Sequence, residues 1–242
     1  MESEQVPPKD GAPAPQPVTS QPPASGDGLA RALRGFGPLG LLSLALIVLG
    51  SVVPGGSALL VLLWRGLSRT PWRQLGFVRP RSWARTIVLG LAVGAGFKLV
   101  MKSVVMPLLG ADPVNQAYHH LAGDMAAVPG FLLLLLFGAA FGEETFFRGY
   151  LFERLRRLLG RTGAATVVTV AITSALFAAA HLPNQGVTGA EQAAITGLVF
   201  GAVYAATGGL PFVMIAHAAF DLTAYAIIFF DVETTVAHWV FR

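Results

Sequence analysis

The chain has 242 residues, 54% of them hydrophobic and 12% charged, with a mean hydropathy of +0.62; a soluble globule usually carries about 25% charged residues, so there are too few charges here to clothe one. The net charge of +4 comes from arginines gathered in short segments between apolar runs, a positive-inside pattern that points to a lipid bilayer as partner and sets nucleic acid aside. Cysteine is absent, which excludes disulfides, cysteine-ligated zinc and thiol catalysis.

Residues 1–29 hold seven prolines and almost no large apolar side chain, so burial cannot offset the entropy of ordering them, and a disordered, Pro-rich tail is expected. Leu39 to Val53 and Ser57 to Leu67 are apolar runs on either side of Pro54-Gly55-Gly56. Each is shorter than the ~20 residues that span a bilayer, so a short or tilted helical hairpin is expected. Arginines at both ends of it (Arg31, Arg34; Arg65, Arg69, Arg73) put both ends, and the tail, in the cytoplasm. Thr70 to Arg85, with Trp72, Trp83 and further arginines, reads as an interfacial stretch at the headgroups.

Thr86 to Met106 forms the next span, and the loop Leu108 to Pro129, free of lysine and arginine, lies outside. Gly130 to about Leu151 returns to a basic cytoplasmic stretch, Arg154, Arg156, Arg157 and Arg161. Gly163 to His181 crosses outward, Leu182-Pro-Asn-Gln-Gly186 turns, Ala190 to Ala206 crosses back, and a last span runs from Pro211 to Phe230. The expected fold is all-α, a polytopic transmembrane helical bundle of about seven membrane helices. Its parts are the tail (1–29), a hairpin with its interfacial segment (30–85) and a membrane core (86–242).

Glu143 and Glu144 sit inside the fourth span, where an ionised residue costs about 2.5–3.5 kcal/mol, and an acid held at such a cost marks a functional site. Residues four apart share a helix face, so Glu144 pairs with Arg148 and Glu143 is left for chemistry. Phe177 and His181 are four apart at the end of the next span, and His217 and Asp221 are four apart in the last. A capping role for His181 and a structural His217–Asp221 hydrogen bond are the plainer readings of those pairs taken singly. Lys98 and Lys102, four apart in the third span, either snorkel outward, neutralise Glu144 or Asp221, or meet a carboxylate of a substrate.

These residues resemble the CPBP family of membrane proteases, which includes CAAX prenyl endopeptidases and bacteriocin-processing or immunity proteins. The resemblance covers about Gly130 to Phe230: Glu143-Glu144-Thr-Phe-Phe-Arg148, Phe177 to His181, the glycine-containing Leu198-Val-Phe-Gly201, and His217 to Asp221, in that order on separate apolar runs. It implies that Glu143 activates a water that His181 orients, with His217 and residue 221 steadying the oxyanion, and with Glu144, Arg148 and Phe177 in support. The prenyl-processing branch has asparagine at the last position; Asp221 is an acceptor only when ionised, so its expected role is to orient His217 as donor. A metal such as Zn2+ held by Glu143, His181, His217 and Asp221 is the alternative, but no HExxH-type spacing preorganises ligands on one helix, and a glutamate mechanism without cofactor is favoured.

The expectation is thus a multi-pass intramembrane endopeptidase acting on a membrane-associated peptide or protein, prenylated and CAAX-like or a leader peptide. A non-catalytic scaffold or immunity module of the same fold is the rival. Counting along the helices, His181 lies ~27 Å past Gly163 and His217 only ~9 Å past Pro211. The two meet only if the helix bearing His181 starts well outside the hydrocarbon or is strongly tilted.

Overall fold

The computed structural model describes residues 25–241, and every regular element among them is helical. In chain order these are α1 (Ser25–Arg34), α2 (Pro38–Leu49), α3 (Gly56–Ser68), α4 (Trp83–Leu108), α5 (Val128–Leu159), α6 (Gly163–Thr207), α7 (Leu210–Phe229) and α8 (Glu233–Ala237). The local signals for their ends are visible. Ser82 Oγ accepts from Arg85 N at the start of α4, Thr162 Oγ1 accepts from Ala165 N at the start of α6, and Pro38 and Pro211 occupy first-turn positions whose N–H would be unserved anyway. The expected tail lies mostly outside the described residues, although Ser25 to Leu29, assigned to it on composition, are helical in α1.

Four helices, α4 to α7, are long and apolar enough to cross a bilayer, and the pair Gly28–Arg34 and Pro38–Val52, bent by 58°, makes a fifth if taken as one broken span. Their outer faces carry exposed Ile87, Val88, Leu89, Leu133, Val167 and Leu198, the composition of an integral membrane protein. This is fewer than the seven membrane helices expected. Part of the difference is α6: its 45 residues would measure roughly 68 Å if straight, more than twice a ~30 Å hydrocarbon core. Gly186, with φ 66° and ψ −168°, breaks it into two helical pieces, a conformation that glycine adopts without strain. The expected turn at Leu182 to Gly186 therefore shrinks to one residue, the first piece staying helical through Pro183.

α4 and α7 lie against each other along a seam of small residues. A Cβ on Gly94 would sit 2.0 Å from the Ala216 carbonyl oxygen and one on Gly90 2.7 Å from Ile215 Cγ2, so Gly90 and Gly94, one turn apart, are what lets the backbones approach. Gly94→Ala is expected to cost at least about 1–3 kcal/mol through overpacking, read as a lower unfolding temperature in detergent; an unchanged midpoint would mean the two helices do not touch there.

α5 is the central helix. Over Leu134–Leu151 it winds with the wider i→i+5 repeat, a geometry that recurs at functional sites. α3 packs on it through Trp64, whose ring meets Tyr150 edge-on at 4.9 Å while its Nε1 donates to Leu33 O of α1. Arg154 donates to Arg34 O and Gly35 O, both at 2.6 Å, and so serves carbonyls left open at the end of α1. The stretch expected to lie at the headgroups is tied into the bundle: Thr70 and Leu75 are fully buried, and Leu210 N donates to Gly76 O at 2.8 Å. Trp72, Trp83, Arg73, Arg79, Arg81 and Arg85 keep the exposure that an interfacial reading predicts.

Candidate active site

The acid pair splits as helical spacing requires. Glu144 is fully buried, and its Oε1 accepts from Arg148 Nη1 at 2.9 Å, one turn on. Arg148, 1% exposed, also reaches Gly197 O at 3.4 Å and lies 4.6 Å over the Phe177 ring. Glu143 is different. Its side chain keeps 29% exposure and accepts no hydrogen bond among the described residues, and its buried Oε2 stands 3.8 Å from His217 Nε2.

α7 supplies His217, which is buried between three carboxylates. Its Nδ1 is 2.7 Å from Glu144 Oε1, and its Nε2 is 3.4 Å from Asp221 Oδ2 and 3.8 Å from Glu143 Oε2. The short contact is the one to Glu144. Glu144, on the neighbouring helix, thus holds Nδ1, a partner that the sequence did not suggest, while Asp221, expected to orient the ring, lies within ion-pair distance of Nε2 on the face that points at Glu143.

α6 supplies Phe177 and His181. The His181 Nδ1 lies 2.8 Å from its own helix's Phe177 carbonyl oxygen. With Nδ1–H donating there, Nε2 is left as the acceptor. The Phe177 ring holds the arrangement together, 4.5 Å from His181, 6.2 Å from His217 and edge-on to Phe147 at 5.0 Å. The histidines thus converge as expected, which requires α6 to begin about 18 Å further from the site than α7 does.

Glu143, His181, His217, Asp221 and Phe177 all border one cavity of about 350 Å³. Ser51 to Gly55, the turn after α2, forms part of its rim, and that turn sits on α5 where Gly138 and Gly142 leave room for it: a Cβ on Gly142 would lie 3.2 Å from Gly55 Cα. Tyr118, from the loop before α5, also faces the cavity and accepts from Gln185 Nε2 at 3.2 Å. Burial pushes its phenol up from the ordinary range, so the neutral phenol is the form present. Tyr118, Gln185, Gln192 and Lys98 are cavity residues without a motif of their own; only Lys98 stood out in the sequence, as a charge in an apolar run. It does not snorkel: it is 5% exposed. Lys102 pairs neither Glu144 nor Asp221 but Glu233 at 3.5 Å, and His119 meets the other Glu233 oxygen at 2.8 Å.

Among the described residues no three His, Cys, Asp or Glu side chains are grouped to hold a metal ion.

Residues 126–223 match the family model described as type II CAAX prenyl endopeptidase, Rce1-like. The match spans Glu143, Glu144, Arg148, Phe177, His181, His217 and Asp221. Neither the curated proteins nor the solved structures gave a match.

Proposed function

We propose, on the match of residues 126–223 to the Rce1-like family model, that the chain is a CPBP-type intramembrane endopeptidase whose general base is Glu143. The observation that carries this is a half-buried carboxylate whose buried Oε2 has no hydrogen bond among the described residues, opening on the cavity that His181 and His217 also border. A carboxylate left unserved inside a protein is costly unless something else meets it, and a water is the simplest such partner.

A water donating one proton to Glu143 and the other to His181 Nε2 has its lone pair free to attack. Glu143 takes the proton, the oxygen adds to the scissile carbonyl carbon, and negative charge develops on the carbonyl oxygen. His217 stands opposite. With a carboxylate oxygen 2.7 Å from Nδ1 and only longer contacts of 3.4 and 3.8 Å at Nε2, the ring that donates from both sides serves Glu144 through Nδ1, and its Nε2–H transfers from the long Asp221 contact to the oxyanion as that charge forms. On collapse, Glu143 returns its proton to the leaving amine, so atoms and charge balance over the cycle. Asp221 and Glu144 hold the charge and tilt of His217, and Arg148 holds Glu144.

The substrate is a membrane-associated peptide or protein, since the site lies on helices long and apolar enough to cross a bilayer. The basic segments at Arg31 to Arg34, Arg65 to Arg85 and Arg154 to Arg161 mark the cytoplasmic side, and with it the N-terminal tail. Comparative peptidomics of membranes bearing the wild-type chain or Glu143→Gln tests the activity: peptides lost with the wild type and retained with the variant are expected, and identical profiles would favour a scaffold. The glutamate mechanism also predicts that hydrolysis by the purified chain persists after exhaustive chelation. Loss of activity that Zn2+ restores would replace it.

A further inference from the structure

Lys98 lies on α4, outside the segment that matches the protease family. It is 5% exposed. Its ammonium donates to Gln192 Oε1 at 2.9 Å and stands 4.9 Å over the Phe220 ring, and no carboxylate lies within ion-pair distance of it among the described residues. An ammonium has three N–H groups to place, and a buried charge without a counter-charge is costly. Lys102, one turn further, shows the ordinary solution: it donates to Pro113 O at 2.5 Å and pairs with Glu233. Lys98 lacks it.

Its position suggests what completes it. Lys98, Asn115, Gln185 and Gln192 border both the 350 Å³ cavity that contains Glu143 and a second cavity of about 410 Å³ beyond it. Phe220, under the ammonium, is the neighbour of Asp221 on α7. The acids of the second cavity are already served: Glu233 by Lys102, His119 and Asn115 N, and Asp112 by Val114 N and Gln116. A peptide lying across Glu143 with one end directed into the second cavity passes Lys98. That end cannot be the cationic amino terminus without like-charge repulsion.

We infer that Lys98 receives a carboxylate of the substrate on the carboxyl-terminal side of the scissile bond, fixing which way the chain lies across the site. This rests on the protease reading above. The carboxylate comes either from the free C-terminus or from an acidic side chain near it.

The full chain carrying Glu143→Gln, in nanodiscs, would be offered an N-palmitoylated peptide mixture with randomised apolar positions. The mixture is prepared with free C-terminal carboxylates, as C-terminal amides, and as amides with Glu at the penultimate position, and retained peptides are counted by mass spectrometry. Free acids should be retained about tenfold or more over amides, as loss of a charge-assisted contact implies. Adding Lys98→Met should bring the ratio to parity, and Lys98→Arg should keep it. Should Lys98→Met fail to fold, Lys98→Gln against Lys98→Arg makes the same comparison. Retention of the Glu-bearing amides would identify a side chain as the source and uphold the inference equally. Equal retention of all three preparations, a preference that survives loss of the Lys98 charge, or no retention at all would overturn it. Carboxylate-selective binding by a wild-type chain that cleaves nothing would defeat the protease reading alone, whereas cleavage of all three preparations at equal rates would defeat this inference alone.

Discussion

Glu143→Gln is expected to lower the rate of peptide hydrolysis by about 10²- to 10⁴-fold, the usual contribution of a positioned general base, while leaving the unfolding temperature close to wild type. The carboxamide has the shape of the carboxylate, and Glu143 accepts no hydrogen bond that the exchange would break. The same exchange one residue on should behave differently. Glu144 accepts from Arg148 and meets His217 Nδ1 through the one oxygen, so Glu144→Gln should lower both activity and stability. A single-turnover assay on a cleavable reporter, run beside thermal unfolding, separates the two. Glu143→Gln retaining more than a tenth of the wild-type rate would remove Glu143 from the chemistry.

Arg148→Leu is expected to destabilise the chain by about 3–5 kcal/mol, the range for breaking a buried ion pair by removing one partner. Glu144 and Arg148 are 0% and 1% exposed at their side chains, so neither can turn to water when its partner is lost. The guanidinium also stacks on Phe177 and donates to Gly197 O, tying α5 to both pieces of α6. Arg148→Leu combined with Glu144→Leu should recover part of the loss, because no charge is then stranded. A double-mutant cycle in mild detergent would measure the coupling. A single variant within about 1 kcal/mol of wild type would place the pair in a more hydrated setting than the described packing allows.

Spacing along one helix carried the parts of the site that were legible from the residues. The four-residue step assigned Arg148 to Glu144 and left Glu143 free, and the structure has the same division. What spacing cannot report is the contact between helices. That Glu144 also grips His217 Nδ1 depends on how α5 and α7 are packed, and the sequence reading gave that task to Asp221, the nearer residue in the chain. Lys98 failed for the same reason: hydropathy registers a charge in an apolar run but not whether it faces lipid or a cavity. The glycine pairs at 90 and 94, 138 and 142, and 197 and 201 are visible as four-residue repeats, yet nothing in the repeat names Ala216, Gly55 or Ser174 as the group that fills each notch. The turn was expected across the whole uncharged stretch 182–186, whereas the helix changes direction at the glycine alone.

The central helix has one more property. From Glu144 to Arg154 every residue is buried against protein, where an amphipathic helix would alternate between a covered and an open face. This stretch consequently has no side of its own in contact with acyl chains. A hydrophobic substrate arriving laterally from the bilayer cannot glide across it, and must slip in through a gap between other helices, so the route to Glu143 is set by the walls that stand around α5.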